Sequence, residues 1–264
     1  MTLTSIAIIA IIIYCGAAFL QAVSLAGKLQ PNKPGLLVGG LIAVFIHAWL
    51  LHVWIDVAHG QNLNVFNMMS VVLWLVALLL IIAAVRKPVE NLCLIVFPLA
   101  ALSILLVILF PSSYVINTGA DPKKLIHILL AIFTMAVMCI AALQAIAVWL
   151  QERALRVKPS SKLLVVLPAM QTMESLLFQT IWLGFILLTV VIVSAFISFG
   201  NIFSDVMLQK SLFGVFSWVV FAVLLIGRHV SGWRGKVAIR FTLIGFLLLV
   251  VAYFSSQIAL EMLA

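Results

Sequence analysis

Apolar residues fill this chain in long runs separated by short polar connectors. Each run is roughly 20 residues long, the length at which a helix crosses a bilayer, whereas a barrel strand needs only about 10 residues with alternating sides. Inside lipid every backbone N–H and C=O must be paired within its own segment or in a closed barrel. The runs therefore predict an all-α, polytopic helical bundle. The pattern places eight spans at 3–26, 36–58, 66–85, 91–110, 124–150, 177–199, 211–228 and 238–260. The stretch from Lys162 to Ser175 is less apolar and holds Pro168. It lies along the membrane interface or extends the sixth helix, and the sequence admits both. The first run, from Thr4 to Gln21, has no basic residues before it and is long for a signal-peptide core, so it reads as a retained helix. No soluble domain, low-complexity tract or repeat stands out, and a single integral membrane domain over 1–264 is expected.

Composition agrees: 66% of residues are hydrophobic and 8% charged, against roughly 25% charged in soluble domains. The net charge of +8 would fit a nucleic-acid binder, but the 15 Lys and Arg sit in the connectors. Twelve of them fall at the odd-numbered connectors: Lys28, Lys33, Arg86, Lys87, Arg153, Arg156, Lys158, Lys162, Arg228, Arg234, Lys236 and Arg240. Only Lys123, Lys124 and Lys210 fall at the even-numbered ones. Basic loops stay in the cytoplasm. The expectation is a bacterial cytoplasmic (inner) membrane protein with both termini on the non-cytoplasmic side, lipids around it and no nucleic-acid partner. Cys15, Cys93 and Cys139 stand alone in apolar runs, as small packing residues do.

Ionisable groups inside a span are costly and mark candidate sites. Four of the five histidines fall toward the expected outer side: His47 and His52 in the second helix, His59 just beyond it, and His127 in the first turns of the fifth. His47 and His52 are five apart and point about 140° away from each other, so they cannot share a metal from one straight helix. His52 and Asp56 are four apart and share a face. Asp56 then holds the second ring nitrogen of a ligating histidine, or the two form a plain hydrogen-bonded pair. No close His/Cys spacing supports zinc, and no nucleophile elbow, P-loop or intramembrane carboxylate pair supports a familiar membrane enzyme. At the cytoplasmic turn, Trp233 and Arg234 form a partner or lipid contact, or an interfacial anchor with a topology charge.

Three segments resemble the cytochrome c assembly family of membrane proteins, which includes CcsA, CcmC and HemX. The first is His59-Gly60-Gln61-Asn62-Leu63-Asn64 running into Ser70. The second runs from Leu167-Pro168 through Glu174, Phe178-Gln179 and Gly184-Phe185 to Leu188-Thr189. The third is Gly232-Trp233-Arg234-Gly235-Lys236 with Gly245-Phe246 and Tyr253-Phe254. Length and span number match the family's YpjD-like branch of small bacterial inner membrane proteins. The resemblance implies haem handling on the outer face, with His127 in the place of the family's outer histidine and His59 in the place of its membrane histidine.

The family's Trp-rich WWD motif is absent. The sixth connector, Gly200 to Lys210, has no tryptophan, a family histidine falls on Ile226, and the histidine after the final helix is missing. The resemblance thus implies a haem-associated protein without the full ligase site, more a binder than an enzyme, with His127 as first ligand and His47, His52 or His59 as the second. The alternative is a cofactor-free accessory or regulatory subunit of another membrane complex. A small-molecule transporter also fits the bundle but has no residue signal of its own.

Overall fold

The computed structural model describes residues 2–30, 32–57, 60–111, 115–116, 122–157, 168–199 and 205–263. Among them eight helices are long and apolar enough to cross a membrane. They are α1 (Leu3–Leu25), α2 (Lys33–Ile55), α3 (Val65–Arg86), α4 (Cys93–Leu109, entered through a 3-10 turn at Glu90–Leu92), α5 (Pro122–Val157), α6 (Met170–Phe199), α7 (Asp205–Ser231) and α8 (Lys236–Leu263). Side-chain oxygens cap three starts: Thr2 accepts from the Ser5 N–H, Asn32 from Gly35 and Asn64 from Asn67.

Several boundaries differ from those the sequence predicts. The second helix stops at Ile55, not 58, because Asp56 turns extended and pairs as a strand. β1 (Asp56–Val57), β2 (Gly60–Asn62) and β3 (Val115–Ile116) form an antiparallel sheet in that order, with Asp56 opposite Gln61 and Gln61 opposite Ile116. The fifth helix runs on through Arg153 and Arg156, which are good helix formers. The sixth begins at Met170, directly after Pro168-Ala169, so 170–175 extend the helix; residues 162–167 lie outside the described residues. The last two helices also start earlier than expected, the eighth directly after Gly235.

The chain divides into two compact units. The first comprises Met1–Asn117 and Ala154–Pro168. There α1 packs on α2 and α4, and α3 packs on the same two, so the four helices close around Tyr14, Leu50, Leu80, Phe97 and Ile104, all with no exposed surface. A Cβ built on Gly40 would stand 2.5 Å from the Phe97 ring, so α2 and α4 meet where only glycine fits. The Trp74 indole donates to the Val44 carbonyl at 3.0 Å, tying α3 to α2.

The second unit comprises Thr118–Arg153 and Ala169–Ala264. Here α6 packs on α7 and α7 on α8. Ser217 donates to the Gly245 carbonyl at 2.8 Å, and the Phe221 ring covers Gly245. Met138 of α5 lies over Gly184 of α6. Trp218 stacks on Phe185 at 5.3 Å and donates to Thr189 at 2.9 Å. Trp74 and Trp218 are thus packing residues, while Trp49 and Trp182 are about half exposed on the outer face of their helices.

Candidate functional site

His47 is completely buried and belongs to a hydrogen-bond chain in the first unit that runs from Tyr14 to the Ala100 carbonyl. Its Nε2 meets Ser70 Oγ at 2.9 Å, Ser70 Oγ meets Ser103 Oγ at 3.3 Å, and Ser103 donates to the Ala100 carbonyl at 2.7 Å. A hydroxyl has one proton to give. Since Ser103 gives its proton to Ala100, Ser70 must donate to Ser103 and so accept from His47 Nε2–H. Nδ1 is then the acceptor for the Tyr14 hydroxyl, 3.5 Å away. Both ring nitrogens therefore have protein partners.

His52 is exposed, and its Nδ1 lies 2.7 Å from Asp56 Oδ2. The spacing of four does bring the two together, and the spacing of five does send His47 inward and His52 outward. His59 lies outside the described residues.

His127 is in the second unit, 7% exposed, near the start of α5. Its Nδ1 lies 2.8 Å from Ser194 Oγ on α6, and Ser194 donates its only proton to the Val191 carbonyl at 2.8 Å. Ser194 can therefore only accept from Nδ1–H, which leaves the lone pair on Nε2. This is the tautomer of a metal-binding imidazole whose far nitrogen is fixed by a hydrogen bond. His127 lines a crevice of about 130 Å³ bounded by α5, α6, α7 and α8, with Thr134, Leu188, Phe196, Val215 and Tyr253 among its walls. The Tyr253 hydroxyl is buried with no hydrogen-bond partner among the described residues.

Haem is the group that the sequence resemblance implies, and the crevice can be tested against it. The walls are mostly apolar, one of them carries an imidazole held through Nδ1, and one phenol is an orphaned buried polar atom, so the residue types fit an iron porphyrin. The volume is below the roughly 300–1,000 Å³ of common ligand pockets, so the crevice has to widen for a whole macrocycle. No group of three or more His, Cys, Asp or Glu among the described residues offers a bare metal ion a site.

Trp233 is half-buried: its ring covers Gly227 and lies 5.2 Å from Phe241. Gly232 and Gly235 take left-handed φ values of +65° and +58°, which favour glycine. Arg228 donates to the Trp233 carbonyl at 3.1 Å, and Glu174 accepts the Gly235 N–H at 3.0 Å. Arg234 points outward, exposed.

Sequence reasoning singled out His127 as an ionisable group in a span but missed Ser194 and Tyr253. Ser194 did carry a signal, as the sole hydroxyl in the run Val190 to Ile197. Tyr253 carried none beyond its place in the third motif.

The family model described as "Cytochrome C assembly protein" matches residues 35–264. The chain belongs to the cytochrome c assembly protein family. Among curated relatives, the inner membrane protein YpjD of Escherichia coli K12 is 29% identical over 249 residues, which cover 92% of this chain and 94% of that protein. An uncharacterized 28.8 kDa protein of Azospirillum brasilense is 33% identical over 133 residues, 48% of each chain. No solved structure matches significantly. Within this cytochrome c assembly family member, the match takes in α2 to α8 almost whole, including both His47 and His127. The relative is named as an inner membrane protein, which agrees with the eight apolar helices of this chain among its described residues.

Proposed function

We propose that this cytochrome c assembly family member holds haem at the crevice of its second unit, where His127 would hold the iron. The reading is supported above all by the proton inventory at Ser194, which puts the lone pair of His127 on Nε2. Bound haem would supply an iron centre that takes up ligands and electrons. The chain's own residues orient the imidazole through Ser194 and Val191, exclude water with the side chains of Leu188, Phe196 and Val215, and offer a phenol at Tyr253. The twelve-to-three charge bias at the connectors supports a position for this crevice on the non-cytoplasmic side of a bacterial inner membrane. Without a WWD motif the protein carries or shields haem and does not attach it.

His47 is a poor second ligand in this reading, because both of its nitrogens have partners in the core. The test is the visible spectrum of detergent-purified protein made with adequate haem, quantified by pyridine haemochrome. A Soret band near one haem per chain is expected, lost in His127→Ala and kept in His47→Leu. Folded, haem-supplied protein with no Soret band would refute the proposal and turn attention to the cofactor-free accessory role.

A further inference from the structure

A groove of about 840 Å³ runs along α1 and α2 in the first unit, within the roughly 300–1,000 Å³ of common ligand sites. Gly16, Ala17 and Gly39 form its floor beside Leu20 and Leu36. A Cβ built on Gly16 or Gly39 would meet nothing within 4 Å, so both glycines face open space, whereas Gly40 is pressed against Phe97.

The groove is apolar along these residues and polar at one end, where α1 stops and α2 starts. Ser24 lines that end and is only 6% exposed. Its hydroxyl has no hydrogen-bond partner among the described residues, yet it is not one of their unpartnered atoms sealed from solvent, so it opens onto the groove. Asn32 lines the same end in a fixed orientation: Oδ1 accepts the Gly35 N–H at 2.9 Å, which leaves Nδ2 as a donor. Gln21 spends its own Nε2 on Asn91 Oδ1 at 3.1 Å. Between Ser24 and Asn32 the chain turns at Gly27, with a left-handed φ of +70°, and the Lys28 N–H donates to the Val23 carbonyl at 3.2 Å. Lys28 adjoins the wall residue Leu29, is exposed, and has no carboxylate partner among the described residues. Lys33 pairs with Glu90 at 3.2 Å. With Arg86 and Lys87, four basic side chains stand against one acidic side chain at this end of α1 to α4.

We infer that this groove holds one anionic phospholipid, with an acyl chain over Gly16 and Gly39 and its phosphate at the donors of Ser24, Asn32 and Lys28. A hydroxyl, an amide N–H and an ammonium at one end need an acceptor, and Lys28 makes a negatively charged one the best match. A helix from a second copy would also pack against small residues. A two-fold pair of parallel copies, however, would set both Lys28 side chains at one level of the membrane, where like charges repel.

The test is native mass spectrometry of the full chain in detergent, with equimolar phosphatidylglycerol and phosphatidylcholine of the same acyl chains. One retained phosphatidylglycerol per chain is expected, held about fivefold over phosphatidylcholine, the effect of about one lysine near a headgroup. Lys28→Gln should erase most of that preference. Gly39→Leu, or Gly16→Leu should the first not fold, fills the groove without a clash at Cβ and should remove the retained lipid. Gly214→Leu adds the same side chain at an open glycine of the second unit and should leave the lipid in place. The inference is overturned by equal retention of the two lipids, by undiminished phosphatidylglycerol in the groove-filling variants, or by an unchanged preference in Lys28→Gln. Loss of the lipid in Gly214→Leu, or a lipid-free dimer that disappears in Gly39→Leu, overturns it as well.

Discussion

Replacing Ser70 by alanine should destabilise the first unit more than replacing Ser103, although both hydroxyls are fully buried in the same chain of hydrogen bonds. Ser70 stands at the turning point of that chain: it accepts from His47 Nε2–H at 2.9 Å and donates to Ser103 at 3.3 Å. Without Ser70, Nε2–H faces a methyl group. The ring can answer by moving its proton to Nδ1, but then Nε2 becomes an orphan acceptor and the Tyr14 hydroxyl loses its own acceptor. At least one buried polar atom is stranded either way, at about 1–3 kcal/mol. Interhelical hydrogen bonds within membranes average about 0.6 kcal/mol and reach about 1.7, so the expected loss is about 1–2 kcal/mol. Ser103→Ala strands only the Ser70 hydroxyl, which can rotate to a carbonyl one turn back in its own helix. That loss should stay under about 0.6 kcal/mol. Reversible unfolding in mixed detergent–SDS micelles measures both, and the double variant should cost little more than Ser70→Ala alone. Equal losses from the two single variants, or a Ser70→Ala loss below about 0.5 kcal/mol, would refute the proton order deduced here.

Further outcomes follow from the packing and the turn. Gly40→Ala puts a methyl 2.5 Å from the fully buried Phe97 ring and should cost about 1–3 kcal/mol by overpacking, read in the same unfolding assay. Gly235→Ala forces a left-handed φ of +58° on a residue with a Cβ, for about 1–2 kcal/mol, although its Cβ meets little. Asp56→Asn removes the negative charge beside an exposed histidine while keeping an acceptor oxygen and should change stability by less than about 1 kcal/mol. If His127 ligates haem, Ser194→Ala should weaken haem retention about 10–100-fold with the ligation spectrum still visible; an unchanged affinity in a haem competition assay would discard the orienting role of Ser194.

The spans were legible because lipid imposes one length and one kind of backbone pairing, and both leave a mark in every run. Boundaries failed where a local choice overrode that signal. His52 and Asp56 keep helical spacing, so nothing before Gly60 announces the end of the second helix; two- and three-residue strands are too short to show alternation. Gln171, Thr172 and Glu174 look like a connector, yet they begin α6, and Glu174 reaches the N–H of Gly235. That contact joins residues 61 positions apart, and no periodicity encodes it. The candidate site divides the same way. His127 was visible as an ionisable residue in an apolar run, whereas its tautomer depends on Ser194, 67 residues away. His47 looked like a ligand candidate for the same reason as His127, and only Tyr14, Ser70 and Ser103 on three other helices show that its nitrogens are engaged.

The hydrogen bonds that join α1, α2, α3 and α4 all lie between residues 14 and 103. Nothing downstream of Ser103 is needed to complete the chain from Tyr14 to Ala100. During synthesis, these four helices can therefore satisfy their polar side chains while α5 is still inside the ribosome. A polar residue entering the bilayer early, such as His47, would meet its partners within the next two helices to be inserted, before the rest of the chain emerges.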